Sequence, residues 1–381
     1  MTGALGVALM LHEQRIRTTS FRGMSLIGKT IPVRSEVCDL CTNHCKITIA
    51  EIEGAHVAYG FLCGRDYETK RFVARNRSGF DLMKARKKIT SAPPPATVRN
   101  DIVIGIPAAL YLKDDLPFWK KFFAELSIRT ITSEEYDTAV IDGKRLAGAE
   151  FCAPMEAMHG HVNYLLEKAD FVFLPFYMEQ KTDDRTVRRH YCYYTQFAPT
   201  LAASMADDRR NRLLMPLVHY LYSELHTKGE LYRTLKPLMK EPPGYFEISS
   251  AYEKASAFKK SYLEKFKKRY QEETAGGHEM HVVYLGRPYT ILDESMNKRI
   301  PAVFESLGIK AFYQDMLSSG DSHLSPIAPL LREFHWHYAA QILEAARVVA
   351  AAKDAYPVFV TSLTGMHCHS NCSWYAFGTE E

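Results

Sequence analysis

At 381 residues the chain is longer than one hydrophobic core usually supports, so two or three domains are expected. Its 46% hydrophobic and 24% charged residues are ordinary for a soluble globular protein, and a net charge of +4 disfavours nucleic-acid binding. No apolar stretch approaches the ~18 residues of a membrane span, and apolar segment 3–10 lacks the preceding basic region of a signal peptide. A cytoplasmic protein is therefore expected, in which clustered cysteines indicate metal or redox chemistry rather than disulfides.

The first 90 residues contain the densest group of cysteines. Residues 1–37 have mixed character, whereas residues 38–90 are predicted to form a small cysteine-rich module, because 47–50 and 56–59 have the pattern of short strands. Three consecutive prolines at 93–95 cannot continue a helix or a central strand, so that stretch is interpreted as a linker.

The rest of the chain alternates strand and helix patterns. Buried strands are predicted at 102–106, 171–175, 281–286 and 358–360, and an amphipathic helix at 118–126. This alternation predicts an α/β protein with two Rossmann-like (flavodoxin-like) lobes built on parallel sheets. The predicted segments are a first lobe over 101–200, a helical insertion over 201–277 and a second lobe over 278–381.

The two predicted lobes share a sequence pattern. Gly105-x-Pro107 is followed at +16, +19 and +21 from the proline by Phe, Leu and Ile, and Gly286-x-Pro288 is followed by the same residues at the same offsets. Two copies of one βαβ unit explain this pattern, although chance similarity between α/β halves is an alternative. Ligands of such folds bind beyond the carboxyl ends of the strands, so the loops after Leu174 and Val360 are the expected sites.

Four thiols of the N-terminal module are spaced as metal ligands. They are Cys38, Cys41, Cys45 and Cys63. Their sulfurs can surround one centre if the chain folds back through the two short strands. The spacing fits tetrahedral zinc or a [4Fe–4S] cluster. It lacks the two CxxC motifs of a zinc ribbon, which makes zinc the less favoured of the two. His44 is a weaker candidate for replacing one thiolate.

The remaining cysteines are dispersed: Cys152, Cys192, Cys368 and Cys372. A dispersed cysteine is commonly a small buried apolar residue. Cys152, Cys192 and Cys368 nevertheless fall in loops beside predicted strands, where loops at one sheet edge can gather a cluster. Histidines lie nearby, and His159 and His161 are candidate catalytic or substrate-contacting residues, with helix packing as the equal alternative. The stretch 366–372 is too tightly spaced for a strain-free zinc site.

The segments Phe151-Cys152-Ala153-Pro154, His159-Gly160-His161, Leu285-Gly286-Arg287-Pro288-Tyr289 and the N-terminal cysteine cluster resemble a known family. They are similar to the dehydratase-related part of acyl-CoA dehydratase activase proteins, relatives of 2-hydroxyacyl-CoA dehydratases and benzoyl-CoA reductases. Residues 1–37 resemble the end of the ATPase domain that precedes this part in large members. The resemblance implies a separate ATPase partner or a chain that is a fragment, and a second lobe that is truncated.

The resemblance also implies ligands and a reaction. Cys152 and Cys192 match family cysteines, whereas Cys368 stands where the family has Gly-Cys-Gly-Pro-Asp and this chain has Thr364-Gly365-Met366-His367-Cys368. The implied cofactor is one or two [4Fe–4S] clusters, with zinc as the alternative at the N-terminal cysteines. The implied activity, in an anaerobic setting, is electron transfer from an ATP-dependent activase, which drives dehydration or reduction of an acyl-CoA or other small substrate. The alternative is a non-catalytic zinc- or cluster-stabilised scaffold that binds an activase; the substrate and any oligomer are left open.

Overall fold

The structure is a computed structural model. It describes residues 26–361 apart from 27, 39–44, 53, 62–66, 68–75, 92–93, 96, 100, 183, 185, 220–222, 277–278 and 319–323, and also residues 6, 9–10 and 12–13. The chain forms two compact units that divide between Phe72 and Val73. The boundary therefore precedes the proline-rich stretch. The functional labels given to segments 1–37, 38–90, 101–200, 201–277 and 278–381 stay predictions.

The first unit contains a small antiparallel sheet. Its strands are β1 (Val33–Val37), β2 (Lys46–Ile52) and β3 (Ala55–Tyr59), in the order β1-β2-β3. The two strands predicted over 47–50 and 56–59 are confirmed. Alternate residues of β2 point to one side, where Ile47 and Ile49 are buried together with Cys38 and Cys45.

The second unit is a mixed α/β structure with parallel sheets. Its strands are β4 (Val103–Ile106), β5 (Arg129–Thr132), β6 (Phe171–Phe173), β7 (Phe176–Tyr177), β8 (Leu213–Leu214), β9 (Leu217–His219), β10 (His281–Leu285), β11 (Lys310–Tyr313) and β12 (Ala355–Phe359). The first sheet has the order β5-β4-β6-β8, the second has the order β11-β10-β12, and β7 pairs with β9. All of these pairs are parallel.

Helices connect and cover these sheets. They are α1 (Leu82–Ile89), α2 (Tyr111–Glu125), α3 (Ala139–Leu146), α4 (Ala153–Leu166), α5 (Tyr193–Met205), α6 (Glu224–Leu235), α7 (Tyr245–Thr274), α8 (Pro288–Ile291), α9 (Glu294–Asn297), α10 (Ile300–Ser306), α11 (Ala328–Glu333) and α12 (His337–Ala351). Short 3₁₀ helices span Asp207–Arg212, Lys236–Leu238, Gln314–Met316 and Ser325–Ile327. Among the described residues, no helix has the length and apolar character needed to cross a bilayer.

Helix α2 begins seven residues earlier than the sequence pattern predicts, at Tyr111 rather than Phe118. It continues through Pro117, whose missing N–H removes one helical hydrogen bond. Tyr111, Leu112 and Leu116 are nevertheless buried in the core of the first sheet, so tertiary packing outweighs the local cost of the proline.

Helix α1 packs on the second sheet, and it lies in the stretch 73–90 that the sequence analysis grouped with the cysteines. Leu82 is buried in the core that also contains Phe266 and Phe312. Arg86 forms two hydrogen bonds of 2.7 Å with the Asp315 carboxylate. The apolar side of α1 therefore assigns this helix to the second unit.

The glycines of the repeated Gly-x-Pro pattern lie at the carboxyl ends of central strands: Gly105 is within β4, one residue before its end, and Gly286 follows β10. A Cβ on Gly105 would come within 3.1 Å of the Leu165 side chain, and a Cβ on Gly286 would lie 2.6 Å from the Val360 carbonyl oxygen. Glycine is therefore required at position 286, where backbone passes too close for a side chain, whereas a side chain at position 105 would force Leu165 to shift. The shared pattern reflects equivalent positions of β4 and β10 within their sheets.

Two glycines allow helices α3 and α4 to cross closely. A Cβ on Gly143 would lie 1.7 Å from the Glu156 carbonyl oxygen, and one on Gly160 would lie 2.1 Å from the Ala139 carbonyl oxygen. This contact explains the glycine between the two histidines of the His159-Gly160-His161 sequence. It also fixes the position of the helix that begins after Cys152.

Candidate functional site

Two of the dispersed cysteines occupy equivalent places in the structure. Cys152 is the residue before helix α4, and Cys192 is the residue before helix α5. Both have extended backbone, both are partly buried, and neither is in a disulfide. In neither residue does the sulfur cap its own helix.

Both thiols lie near the hydroxyl group of Tyr289 in helix α8. Burial raises the pKa of Tyr289, and the electrostatic influence of Cys192 and Cys152 raises it further. Arg287 donates a hydrogen bond of 3.1 Å to the same hydroxyl and lowers its pKa. Phe151 and Tyr194, which flank the two cysteines, pack ring to ring at a centroid distance of 5.5 Å, so the fold brings together two cysteine segments that are forty residues apart in sequence.

The starts of α4 and α5 favour a negatively charged group. The first turns of an α-helix carry N–H groups without helical acceptors and a partial positive charge. Cys152 and Cys192 place their thiols at two such ends, and the helices have 14 and 13 residues. This arrangement fits a thiolate-bound group, because helix N-termini stabilise thiolates.

Aromatic residues beside Cys192 divide between core and surface. Tyr191 is buried and packs against Tyr177 and Tyr338, whereas Tyr193 and Phe197 are 63% and 51% exposed. One side of this stretch is therefore core packing, and the other forms an exposed aromatic rim next to Cys192.

His159 and His161 are buried in helix α4, where they are 1% and 4% exposed. Burial lowers the pKa of each to about 4, so both rings are neutral at pH 7. Neither nitrogen of His159 has a hydrogen-bond partner among the described residues, and its ring packs edge-on against Phe151. His161 lies near the Asp293–Lys113 ion pair, which has opposing effects on its pKa.

The hairpin of strands β1 and β2 brings two N-terminal cysteines together. Cys38 follows β1, Cys45 precedes β2, and the Cys38 N–H donates a hydrogen bond of 2.9 Å to the Cys45 carbonyl oxygen. The chain folds back through β2 and β3, as the four-cysteine site requires. Cys41, Cys63 and His44 lie outside the described residues, so this site stays a prediction.

The third ligand predicted at the other site, Cys368, also lies outside the described residues, as does 366–372. Within the part of the chain that the structure describes, no group of three or more His, Cys, Asp or Glu side chains is arranged to hold a metal ion. Of the three ligands predicted at that site, the structure therefore describes two, Cys152 and Cys192.

An ionisable pair between helices α2 and α7 was not predicted from the sequence. Asp115 is 5% exposed, and its carboxylate accepts hydrogen bonds from the Lys259 ammonium group and the Tyr177 hydroxyl. The sequence does contain a pattern that predicts the burial of Asp115. Asp115 lies three residues after Leu112 and four before Trp119, which places a carboxylate on the apolar face of α2.

Comparison with known proteins identifies one family. Residues 103–317 match the sequence model of the CoA enzyme activase uncharacterised domain (DUF2229). The match begins at β4 and ends shortly after β11, so it includes Cys152, Cys192 and Tyr289. No curated protein and no solved structure matches the chain.

Proposed function

Since the chain belongs to the family of the CoA enzyme activase uncharacterised domain, we propose that it is an iron–sulfur protein that receives electrons from an ATP-dependent activase. The observation that carries the proposal is the placement of Cys152 and Cys192 at the starts of two helices and beside Tyr289. Cys368 is the proposed third ligand. The electrons would serve reductive chemistry, dehydration or reduction, on an acyl-CoA or other small substrate.

The residues of the chain have defined roles in this proposal. Cys152 and Cys192 hold the group as thiolates, and the N-termini of α4 and α5 offset its negative charge. Arg287 holds the Tyr289 hydroxyl beside the thiols. A [4Fe–4S] cluster, when bound, supplies one-electron transfer at low potential.

Exposed aromatic side chains next to Cys192 support the proposal that an electron-donating partner binds there. Tyr193 and Phe197 are one helical turn apart on α5 and are exposed. An aromatic rim on the surface is typical of a protein contact. We propose this rim as the place where the activase approaches. Cys38, Cys41, Cys45 and Cys63 are proposed to hold a second cluster or a zinc ion.

Metal analysis of protein purified without oxygen tests the proposal. The wild-type chain is expected to be brown and to contain about four irons for each [4Fe–4S] cluster. The Cys152→Ala and Cys192→Ala variants should each lose about four irons per chain, because a missing thiolate leaves the cluster exchangeable.

Cys372→Ala is the matched control, since it removes a cysteine that is assigned to neither site, and its iron content should equal that of the wild type. A colourless protein with one zinc would contradict the redox proposal and favour the scaffold alternative. Equal iron contents in Cys152→Ala and the wild type would exclude a cluster at Cys152 and Cys192.

A further inference from the structure

A cavity of about 270 Å³ lies at the carboxyl ends of strands β10 and β11, between helices α2, α7 and α12. Strand β10 has β11 on one side and β12 on the other. Ligands of open parallel sheets bind beyond the carboxyl ends of the strands. The cavity adjoins the cysteine pair without including it: neither Cys152 nor Cys192 lines it, whereas Tyr338, which does, packs edge-on against Tyr289 at a centroid distance of 5.8 Å.

Two of the carboxylates in the cavity wall already have positively charged partners. Asp115 is bonded to Lys259, and Asp315 forms two hydrogen bonds of 2.7 Å with Arg86. Burial would lower the pKa of Lys259, but Asp115 outweighs it and the pKa is raised, so the ammonium group stays charged. These pairs leave no surplus positive charge in the wall.

Two further carboxyl groups in the wall have no such partner. Asp114 from α2 and Glu344 from α12 form no hydrogen bond and no ion pair with any residue that the structure describes. Burial raises the pKa of Asp114 to about 6, against the opposing effect of Lys259. Burial likewise raises the pKa of Glu344, against the opposing effect of Arg189. Both side chains are partly buried, and neither has a cation at contact distance among the described residues.

Tyrosine side chains complete the wall. Tyr262 and Tyr338 are 3% and 6% exposed, and neither hydroxyl has a hydrogen-bond partner among the described residues. Burial also lowers the pKa of His337 to about 3, so its ring adds no positive charge at pH 7. Both tyrosines line the cavity, and their unpaired hydroxyls offer hydrogen bonds to a ligand within it.

We propose that this cavity binds a small organic ammonium ion, with the carboxylates of Asp114 and Glu344 as counter-charges and tyrosine rings as walls. Carboxylate oxygens and phenol oxygens accept hydrogen bonds from an ammonium group. Aromatic rings attract the same positive charge through their electron-rich faces. An anionic ligand would instead place like charges beside Asp114 and Glu344.

Titration of the full chain with butylammonium at pH 7.5, followed by ligand-observed NMR, tests this proposal. The uncharged probe of equal length is 1-butanol. Butylammonium should bind at least about tenfold more tightly than 1-butanol, because only the charged probe pairs with the carboxylates. The Asp114→Asn and Glu344→Gln variants should each weaken butylammonium binding by about tenfold.

Asp208→Asn is the control, because it makes the same change of charge at an exposed position, and its affinity should equal that of the wild type. The Cys152→Ala variant should also bind butylammonium normally, since the cavity does not depend on a metal group. Equal binding of the two probes, no binding of butylammonium, or unchanged affinity in Asp114→Asn would each overturn the proposal.

Discussion

The Lys259→Met variant is expected to lose about 3 kcal/mol of unfolding free energy at pH 7. Removing one partner of a buried ion pair costs about 3–5 kcal/mol because it leaves an uncompensated charge. The lower end applies here, since the Lys259 side chain is 33% exposed whereas that of Asp115 is 7% exposed. Asp115 would keep only the 2.6 Å hydrogen bond from the Tyr177 hydroxyl and the nearby His219 ring, which burial keeps neutral.

The unfolding free energy lost in Lys259→Met should become smaller as the pH falls. In the wild type, burial raises the pKa of Asp115, but Lys259 and the other partners outweigh it, and the pKa is lowered. Its contribution is therefore present above the unfolded value of 3.8 and lost as pH falls through the lower folded value. Without Lys259, burial dominates and raises the folded pKa, so protonation stabilises the variant as pH falls.

Urea denaturation at pH 7 and pH 5 measures this difference. The gap between wild type and Lys259→Met should narrow at the lower pH. Lys260→Met is the matched control because Lys260 is the exposed neighbour on the same helix, and it should change stability by less than about 0.5 kcal/mol. A gap that widens on acidification would show that Asp115 is not the charge left unpaired.

The Gly160→Ala variant is expected to be destabilised by about 3 kcal/mol, at the upper end of the cost of overpacking. Its Cβ would lie 2.1 Å from the carbonyl oxygen and 2.9 Å from the Cα of Ala139. Both are backbone atoms, so no side-chain rotation relieves the contact and helices α3 and α4 must separate.

Gly229→Ala is the control for this substitution. Gly229 lies within helix α6, and the nearest atom to its added Cβ would be an Arg233 nitrogen at 4.0 Å. Alanine has the higher helix propensity, so this variant should gain about 0.5–1 kcal/mol. Thermal unfolding of both variants gives the comparison. If Gly160→Ala were as stable as Gly229→Ala, the close helix crossing would be refuted.

Much of the strand–helix order could be predicted from local sequence. The apolar runs that become β4, β6 and β10 are continuous because both faces of a parallel strand are buried. The matching Gly-x-Pro patterns likewise mark the carboxyl ends of two central strands. The apolar runs depend on local periodicity, which the sequence displays directly, whereas the contacts that explain the glycines, with Leu165 and Val360, form only in the folded chain.

Other features depended on contacts between distant residues. Helix α2 extends through Pro117 because Tyr111 and Leu112 gain burial against the first sheet. Helix α1 belongs with the second sheet because Arg86 pairs with Asp315, more than two hundred residues away. No local pattern contains such information.

The candidate sites divide in the same way. The sequence by itself placed Cys152 and Cys192 in loops beside predicted strands. The resemblance to acyl-CoA dehydratase activase proteins implied that these two cysteines bind an iron–sulfur cluster. Only the tertiary structure decided that both lie near Tyr289, and that Asp114 and Glu344 share one cavity in which neither forms an ion pair with a described residue. The physical reason is that a residue's chemical type is fixed by its side chain, whereas its pKa, its partners and the charge left unpaired depend on groups that folding brings near it.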